Sequence, residues 1–264
     1  MRVFWLSLFA LLALNAAASS QTSTDARPPK KVDFSFEGPF GAYDRGALQR
    51  GFQVYKEVCS ACHSLNRVAF HNLAEPGGPG FTDAQAKAIA AGYKIPAEPN
   101  DKGELFDSGG NRLTRAGTVA DHFPPTFPNE QAARTANNGA LPPDLSLIIK
   151  ARAGGPNYVY SILTGFREKP PGWFKVLPGK YYNPYFAGWN ISMPPPLTDG
   201  SVTFADGTSS KVEQEAHDVV TFLSWTSEPK MEERKRLGFG VMAFLIIFIG
   251  LLFLSYRRVW RDAH

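Results

Sequence analysis

Apolar residues recur at intervals of three and four in two stretches of the chain, and each stretch predicts an amphipathic helix. In residues 44–58, Leu48, Phe52 and Tyr55 share one helical face, and an aspartate at the start can cap the helix. Residues 211–225 carry a similar stripe, made of Val212, Ala216, Val219, Val220 and Leu223. The two patterns predict the main helices of a mainly α-helical domain.

Shorter elements are predicted between these two helices. A helix capped by Thr82 or Asp83 should run to about Tyr93, another should open at Pro143 and run toward Arg152, and a third should cover residues 157–164. Short strands are expected near residues 202–204. Most of residues 94–143 and 165–200 is rich in Gly and Pro with little periodicity, which predicts long irregular insertions.

Two apolar runs mark the ends of the chain. Residues 1–18 combine Arg2, an apolar run and small residues, which predicts a cleaved export signal, with a retained anchor as the alternative. A polar, flexible leader follows in residues 19–34.

The uncharged run at residues 237–256 is long enough for about 30 Å of helix and predicts a transmembrane helix; a buried core helix is the alternative. The predicted order is then an exported domain at 35–229, a charged juxtamembrane collar at 230–236, the membrane span, and a cytoplasmic tail at 257–264. In a bacterium this order predicts a single-pass protein of the inner membrane, with its domain in the periplasm.

The formal net charge of +4 is concentrated at the membrane flanks. Residues 230–264 carry seven basic and three acidic side chains, while residues 3–229 carry 20 basic and 21 acidic ones. The exported domain is therefore nearly neutral, which argues against nucleic acid as a partner, and the basic flanks are suited to membrane lipid.

Cys59, Cys62 and His63 form a CxxCH motif, the attachment signature of haem c. The two thiols can form thioethers with the haem, and the adjacent imidazole can ligate the iron. The chain has only two cysteines, so a zinc site would lack its second pair, and the context lacks the strands typical of a redox disulfide. The motif occurs once and predicts one covalent haem c.

Met193 is the leading candidate for the second axial ligand of the iron. Of the four methionines, Met1 belongs to the predicted signal, Met231 to the collar and Met242 to the predicted span. Three prolines follow Met193 and stiffen its loop, although a lone methionine can also be simple core packing. Histidine is the alternative ligand type, offered by His71, His122 and His217.

The chain resembles the cytochrome c1 family over roughly residues 33–260. The resemblance is carried by FSFEGPFG (34–41), VYKEVCSACHS (54–64), EPGGPG (75–80), NNGALPPDLS (137–146), KARAGGPNYVYSILTGF (150–166), NPYF (183–186), ISMPPPL (191–197) and FLSWTSEPK (222–230). It implies a class I cytochrome c-like haem domain with long Pro/Gly-rich insertions and one C-terminal transmembrane helix.

The resemblance also implies roles for further residues. Arg152 matches the residue that pairs with a haem propionate, and Asn137, Pro142, Tyr158 and Phe186 match positions of the haem pocket. An extra cysteine pair that braces the methionine loop in many bacterial relatives is missing, so we expect proline and aromatic packing to hold this loop.

The function that the resemblance implies is single-electron transfer within the cytochrome bc1 complex of a respiratory or photosynthetic chain. The expected partners are cytochrome b, the Rieske iron-sulfur protein as electron donor, and a soluble or membrane-tethered cytochrome c as acceptor, within a dimeric complex. The chain alone is an electron carrier, and quinol oxidation belongs to the whole complex. An anchored haem subunit of a terminal oxidase is the alternative; a peroxidase is disfavoured by the predicted filled distal site.

Overall fold

Six α-helices, three short 3-10 helices and four short β-strands make up the regular structure of residues 26–261, the part of the chain that the computed structural model describes. The helices are α1 (Arg45–Glu57), α2 (Asp83–Ala91), α3 (Glu130–Ala136), α4 (Gly155–Gly165), α5 (Val212–Ser227) and α6 (Met231–Trp260). The strands form two antiparallel pairs, β1 (Lys94–Pro96) with β2 (Thr114–Ala116) and β3 (Tyr181–Tyr182) with β4 (Asn190–Ile191). This confirms the predicted mainly α class. The predicted signal at 1–18 and residues 19–25 of the leader lie outside the described part.

Helices α1 and α5 pack against each other and form the centre of the domain. The Asp44 side chain caps α1 by accepting a hydrogen bond from the amide of Ala47, as the sequence predicted. Leu48 and Phe52 of α1 are buried in the main core, where the Phe52 ring lies 5.6 Å from that of Phe222 on α5. The predicted apolar stripes thus face each other.

Gly51 is the point of closest approach between α1 and α5. A Cβ atom at this position would lie 2.0 Å from the carbonyl oxygen of Asp218 and 2.7 Å from the Cβ of Phe222. No side chain fits in that space, so glycine permits the two backbones to approach closely.

A buried ion pair lies beside this crossing. The guanidinium of Arg50 donates to both carboxylate oxygens of Asp218, at 2.7 and 3.2 Å, and also to Asp206 at 2.8 Å. Asp218 is fully buried, and Gln214 donates a further hydrogen bond to it at 3.0 Å. The arrangement satisfies the charge of the buried carboxylate, which would otherwise be costly to desolvate.

The helix predicted from Pro143 toward Arg152 is wrong: residues 145–154 form consecutive turns. The Asp144 carboxylate accepts hydrogen bonds from the amides of Asn66 and Ser146, both at 2.8 Å, and the amide of Leu145 donates to the carbonyl of Ser64. The backbone of this segment therefore makes hydrogen bonds other than those of an α-helix, including bonds to Ser64 and Asn66, which lie about 80 positions earlier in the chain.

The strand predicted near residues 202–204 is also wrong. The amide of Val202 donates to the side chain of Glu215 at 3.2 Å, and its carbonyl accepts from the hydroxyl of Ser210. Side chains thus take the hydrogen bonds that a neighbouring strand would make. The helices predicted at 82–93 and 157–164 are confirmed as α2 and α4, with ends shifted by one to two residues.

Three residues, 228–230, separate the end of α5 from the start of α6. Met231, its first residue, is buried in the main core, and the predicted collar at 230–236 forms its first turns. Among residues 26–261, α6 is the one helix whose length and composition allow it to cross a membrane, and none of its most apolar stretch is buried against the rest of the protein.

Candidate functional site

The CxxCH motif directly follows α1 and is folded into one tight turn. Residues Cys59–Ala61 form a short 3-10 helix, and the amides of Cys62 and His63 both donate to the carbonyl of Cys59, at 3.1 and 2.9 Å. The hydroxyl of Ser60 caps the end of α1 by donating to the carbonyl of Lys56 at 2.7 Å. Both thiols and the imidazole are therefore held together at the end of a helix that is packed into the core.

Cys59 and Cys62 both lie half-buried in this turn. Burial, with a smaller contribution from the neighbouring Cys62, raises the pKa of the Cys59 thiol to about 12. Because disulfide exchange requires a thiolate, a neutral thiol of this kind disfavours the redox-disulfide interpretation.

The imidazole of His63 is oriented by a backbone carbonyl. Its Nδ1 lies 2.7 Å from the carbonyl oxygen of Pro143, so Nδ1 carries the proton and donates, and the lone pair is on Nε2. Burial lowers the pKa of His63, although the bond to Pro143 and the charge of Asp144 oppose that effect. A neutral imidazole with a free Nε2 and a bonded Nδ1 is the form in which histidine ligates metals.

Asp144 holds the carbonyl of Pro143 in place. The carboxylate of Asp144 accepts hydrogen bonds from the amides of Asn66 and Ser146, which ties the chain just after the motif to the segment that carries Pro143. Sequence reasoning missed Asp144 and the Pro143 carbonyl as parts of the site. The only signal was their position directly after Pro142, within a segment that was predicted to be helical.

Met193 lies in a second, smaller cluster of apolar residues. The buried members are Ile162, Tyr185 and Ile191, and the half-buried residues packed against them are Tyr158, Phe166, Phe186 and Met193. The structure thus brings together three of the predicted site residues, Tyr158, Phe186 and Met193. The position of Met193 two residues after β4 fixes it to the β3–β4 pair.

Asn183 connects this loop to α4 and was not predicted from the sequence. It is fully buried, its Nδ2 donates to the carbonyl of Ile162 at 2.8 Å, and its Oδ1 accepts from the amide of Tyr185 at 3.1 Å. Gly165 allows the close approach, because a Cβ there would lie 2.7 Å from the ring of Tyr185. The amide of Asn183 therefore positions the segment that leads to Met193.

Aromatic packing braces the outer part of the same loop. Phe174 packs against Trp173, Tyr182 and Trp189, with ring centroids 6.0, 5.5 and 5.3 Å away. These contacts agree with the expectation that aromatic packing helps to hold this loop.

Arg152 is exposed and lies near Tyr158. Burial raises the pKa of Tyr158 while the charge of Arg152 lowers it, so the two side chains interact electrostatically. The guanidinium donates to the carbonyl of Ala151 at 3.1 Å, and within residues 26–261 it forms no ion pair with a carboxylate. A cation beside the Met193 cluster, without a protein carboxylate, fits a carboxylate-bearing ligand such as a haem propionate.

Asn137 and Pro142 are less closely tied to the other predicted residues. Asn137 ends α3, and its side-chain amide donates back to the carbonyl of Ala133 at 2.7 Å. Pro142 is half-buried and directly precedes the carbonyl-bearing Pro143. A surface cavity of about 400 Å³ beside His122 and Phe123 contains none of the predicted site residues.

The three alternative histidine ligands have other contacts. The ring of His71 lies 3.2 Å from the carbonyl of Val119 and 3.4 Å from Glu75, and His217 stacks on Phe34 at 4.9 Å. His122 is exposed, and its backbone bridges to Ala69. These contacts favour Met193 over the histidines as the second ligand.

Comparison with known proteins gives concordant matches. Residues 34–263 match the family described as Cytochrome C1. The chain is 44% identical to "Cytochrome c1" of Rhodospirillum rubrum, over 96% of this chain and 94% of that protein. It is 47% identical to "Cytochrome c1, heme protein, mitochondrial" of Kluyveromyces lactis, over 86% and 72%. It is 51% identical to "Cytochrome b/c1" of Bradyrhizobium diazoefficiens over 96% of this chain, but spans only 38% of that protein's length.

Proposed function

The chain belongs to the cytochrome c1 family, and from this premise we propose that it carries single electrons from the Rieske iron-sulfur protein to a c-type cytochrome. Family membership makes it a haem c protein and the haem subunit of the cytochrome bc1 complex in electron transport. Bound haem c supplies the one-electron chemistry, and the protein supplies attachment, orientation and docking surface.

The His63–Pro143 contact carries the proposal. Cys59 and Cys62 would hold the haem covalently, since both thiols lie on the same turn as His63. The 2.7 Å contact from Nδ1 to the Pro143 carbonyl leaves Nε2 available for iron. Two thiols and one oriented, neutral imidazole on a single turn fit covalently attached haem c, and within residues 26–261 no group of three or more His, Cys, Asp or Glu side chains could hold a bare metal ion instead.

We propose that Met193 would be the second residue to hold the haem iron. Its cluster with Tyr158 and Phe186 supports this assignment, and so does the β3–β4 pair that precedes it. Ligation by one histidine and one methionine would give bound haem a higher reduction potential than ligation by two histidines. Arg152 would pair with a haem propionate, while Asn137 and Pro142 would line the pocket.

The proposed membrane location is supported by α6. We propose that residues 237–256 cross the bacterial inner membrane, with the haem domain in the periplasm and the C-terminus in the cytoplasm. The exposed, apolar surface of α6 supports this. Cytochrome b is the expected neighbour within the membrane, as part of a dimeric complex. The name of the Bradyrhizobium relative, "Cytochrome b/c1", supports cytochrome b as a partner.

Replacement of Met193 by Leu tests the ligand assignment. We expect covalent haem to be retained and the reduction potential to fall by about 0.1 V or more, within the ~0.8 V range that axial ligands control. Met231→Leu is the matched control, because Met231 is buried in the main core and is not a proposed ligand. Equal potentials in both variants and the parent protein would exclude Met193 as a ligand.

Gentle detergent purification of the native protein tests the assembly. We expect cytochrome b and the Rieske protein to be recovered with the chain. Recovery with a copper-haem oxidase and without cytochrome b would contradict the proposal and favour the terminal-oxidase alternative.

A further inference from the structure

Residues 38–41 form an exposed loop, the Phe40 loop, which lies against the start of α6. We propose that this loop enters the lipid interface and that Phe40 contacts phospholipid, so that the haem domain is fixed to the bilayer at a second point beside its helix. The inference rests on the proposed membrane crossing of α6.

The depth of Phe40 follows from its partner on α6. The ring of Phe40 stacks on that of Phe239, with centroids 5.0 Å apart and planes 8° from parallel. Phe239 lies three residues beyond Arg236, the last charged residue before the apolar run, and therefore about 4.5 Å further along the helix axis. A bilayer that begins at Arg236 would thus include Phe40.

Polar contacts fix the Phe40 loop to α6. The Nζ atom of Lys235 donates to the carbonyls of Phe36 and Gly41, at 2.8 and 2.9 Å, one on each side of the loop. Glu232 accepts from the amide of Tyr43 at 2.9 Å and pairs with Arg45 at 2.6 Å. The loop and the first turns of α6 are therefore one unit, and the depth of one determines that of the other.

The chemistry around the loop matches an anionic phospholipid. Phe40 is 84% exposed, an unusual degree for an aromatic ring that is held in place by stacking. A cavity of about 300 Å³ beside it is lined by both phenylalanines, by Lys235 and Arg236, and by Glu232, whose carboxylate is paired with Arg45. Arg236 forms no ion pair within residues 26–261. The two cations suit the phosphate of a phospholipid, and the two rings, deeper along α6, suit its acyl chain, as at other membrane interfaces.

Photo-crosslinking in the assembled complex, in native membranes, tests the contact. Phe40→p-benzoylphenylalanine should yield adducts with phospholipid on irradiation, identified by mass spectrometry. Phe106 is the exposed control, since it is 52% exposed on an insertion and should give no lipid adduct at all. An adduct at Phe40 with another subunit, or no adduct with lipid, would overturn the inference.

The same label at Phe248, near the middle of the apolar run, separates this inference from the proposed function. Adducts with lipid or with a membrane subunit at Phe248 would support the membrane crossing, whatever happens at Phe40. Their absence would overturn both the crossing and the lipid contact.

Lys235→Met tests the attachment of the loop. Loss of two charge-assisted hydrogen bonds should reduce the lipid adduct at position 40 about tenfold, because the loop is released from α6. Lys230→Met is the control, because it also removes one positive charge near the start of α6. The ion pairs of Lys230 are with Glu75 and Glu233, neither of which is in the Phe40 loop, so the yield of the lipid adduct should be unchanged. Equal yields in the two variants would contradict the proposed fixation.

Discussion

Replacement of Gly51 by Ala should destabilise the domain more than any other single methyl group added to α1. The new Cβ would lie 2.0 Å from the carbonyl oxygen of Asp218, and a real contact requires more than 3 Å. The obstacle is the backbone of α5, so the helices must separate by about 1 Å or more. Overpacking of this kind costs about 1–3 kcal/mol, and we expect the upper end, about 3 kcal/mol, because the Arg50–Asp218 pair must move as well.

Gly46→Ala is the matched control, since it adds the same methyl group to the same helix. A Cβ at Gly46 would meet only the ends of the Arg50 and Asp44 side chains, at 3.2 Å. Alanine is favoured over glycine in helices, so stability should stay equal or rise by up to about 1 kcal/mol.

The assay is thermal unfolding of the haem-bound chain in detergent, followed by far-ultraviolet circular dichroism and the haem absorption band. For a domain of this size about 3 kcal/mol corresponds to a fall in Tm of about 6–12 °C. If Gly51→Ala melts at the same temperature as Gly46→Ala, the close crossing of α1 and α5 is wrong.

Three further predictions concern the site and the ion pairs. Arg152→Gln should lower the reduction potential, measured by redox titration, because a cation near the haem disfavours the ferric state; an unchanged potential would place Arg152 away from the propionates. Asp144→Ala should loosen the Pro143 carbonyl and so weaken its hydrogen bond with Nδ1 of His63. The imidazole would then donate less electron density to the iron, and the reduction potential should rise. A fall in the potential would contradict this. Hydrogen bonds from the Thr208 amide and from Arg50 lower the pKa of Asp206 to about 2. Ionised Asp206 therefore stabilises the folded domain at neutral pH, and this contribution is lost as pH falls from about 4 toward 2. Asp206→Asn should make the fall in Tm over that range shallower, and an identical slope would refute the contribution.

Local patterns were sufficient for the helices and insufficient for the segments between them. Helices α1 and α5 were predicted because their apolar spacing and, for α1, the Asp44 cap are local properties of the sequence. The segment after Pro143 was predicted to be helical because its propensities favour a helix, but Asp144 binds amides that include that of Asn66. A contact between residues so far apart leaves no trace in a periodicity.

The site shows the same division between local and distant information. The turn of Cys59, Cys62 and His63 is encoded in five consecutive residues, and its geometry agrees with the role predicted for it. The Pro143 carbonyl and Asn183 could not be found in this way. A backbone carbonyl has no residue signature, and one asparagine in a loop rich in Pro and aromatic residues looks like any turn residue.

The short connection between the domain and α6 has a kinetic consequence for the proposed function. Three residues, 228–230, separate α5 from α6, Met231 is in the core, and the next turn is bound to the Phe40 loop and to Arg45, so the start of α6 is held against the domain at several points. A cytochrome on a long flexible tether can swing its haem edge from donor to acceptor, whereas a domain held in this way would keep that edge at one height and angle. If the chain carries electrons as proposed, donor and acceptor would each travel to it, and the interval between receiving and releasing an electron would depend on their arrival rather than on rotation of this chain.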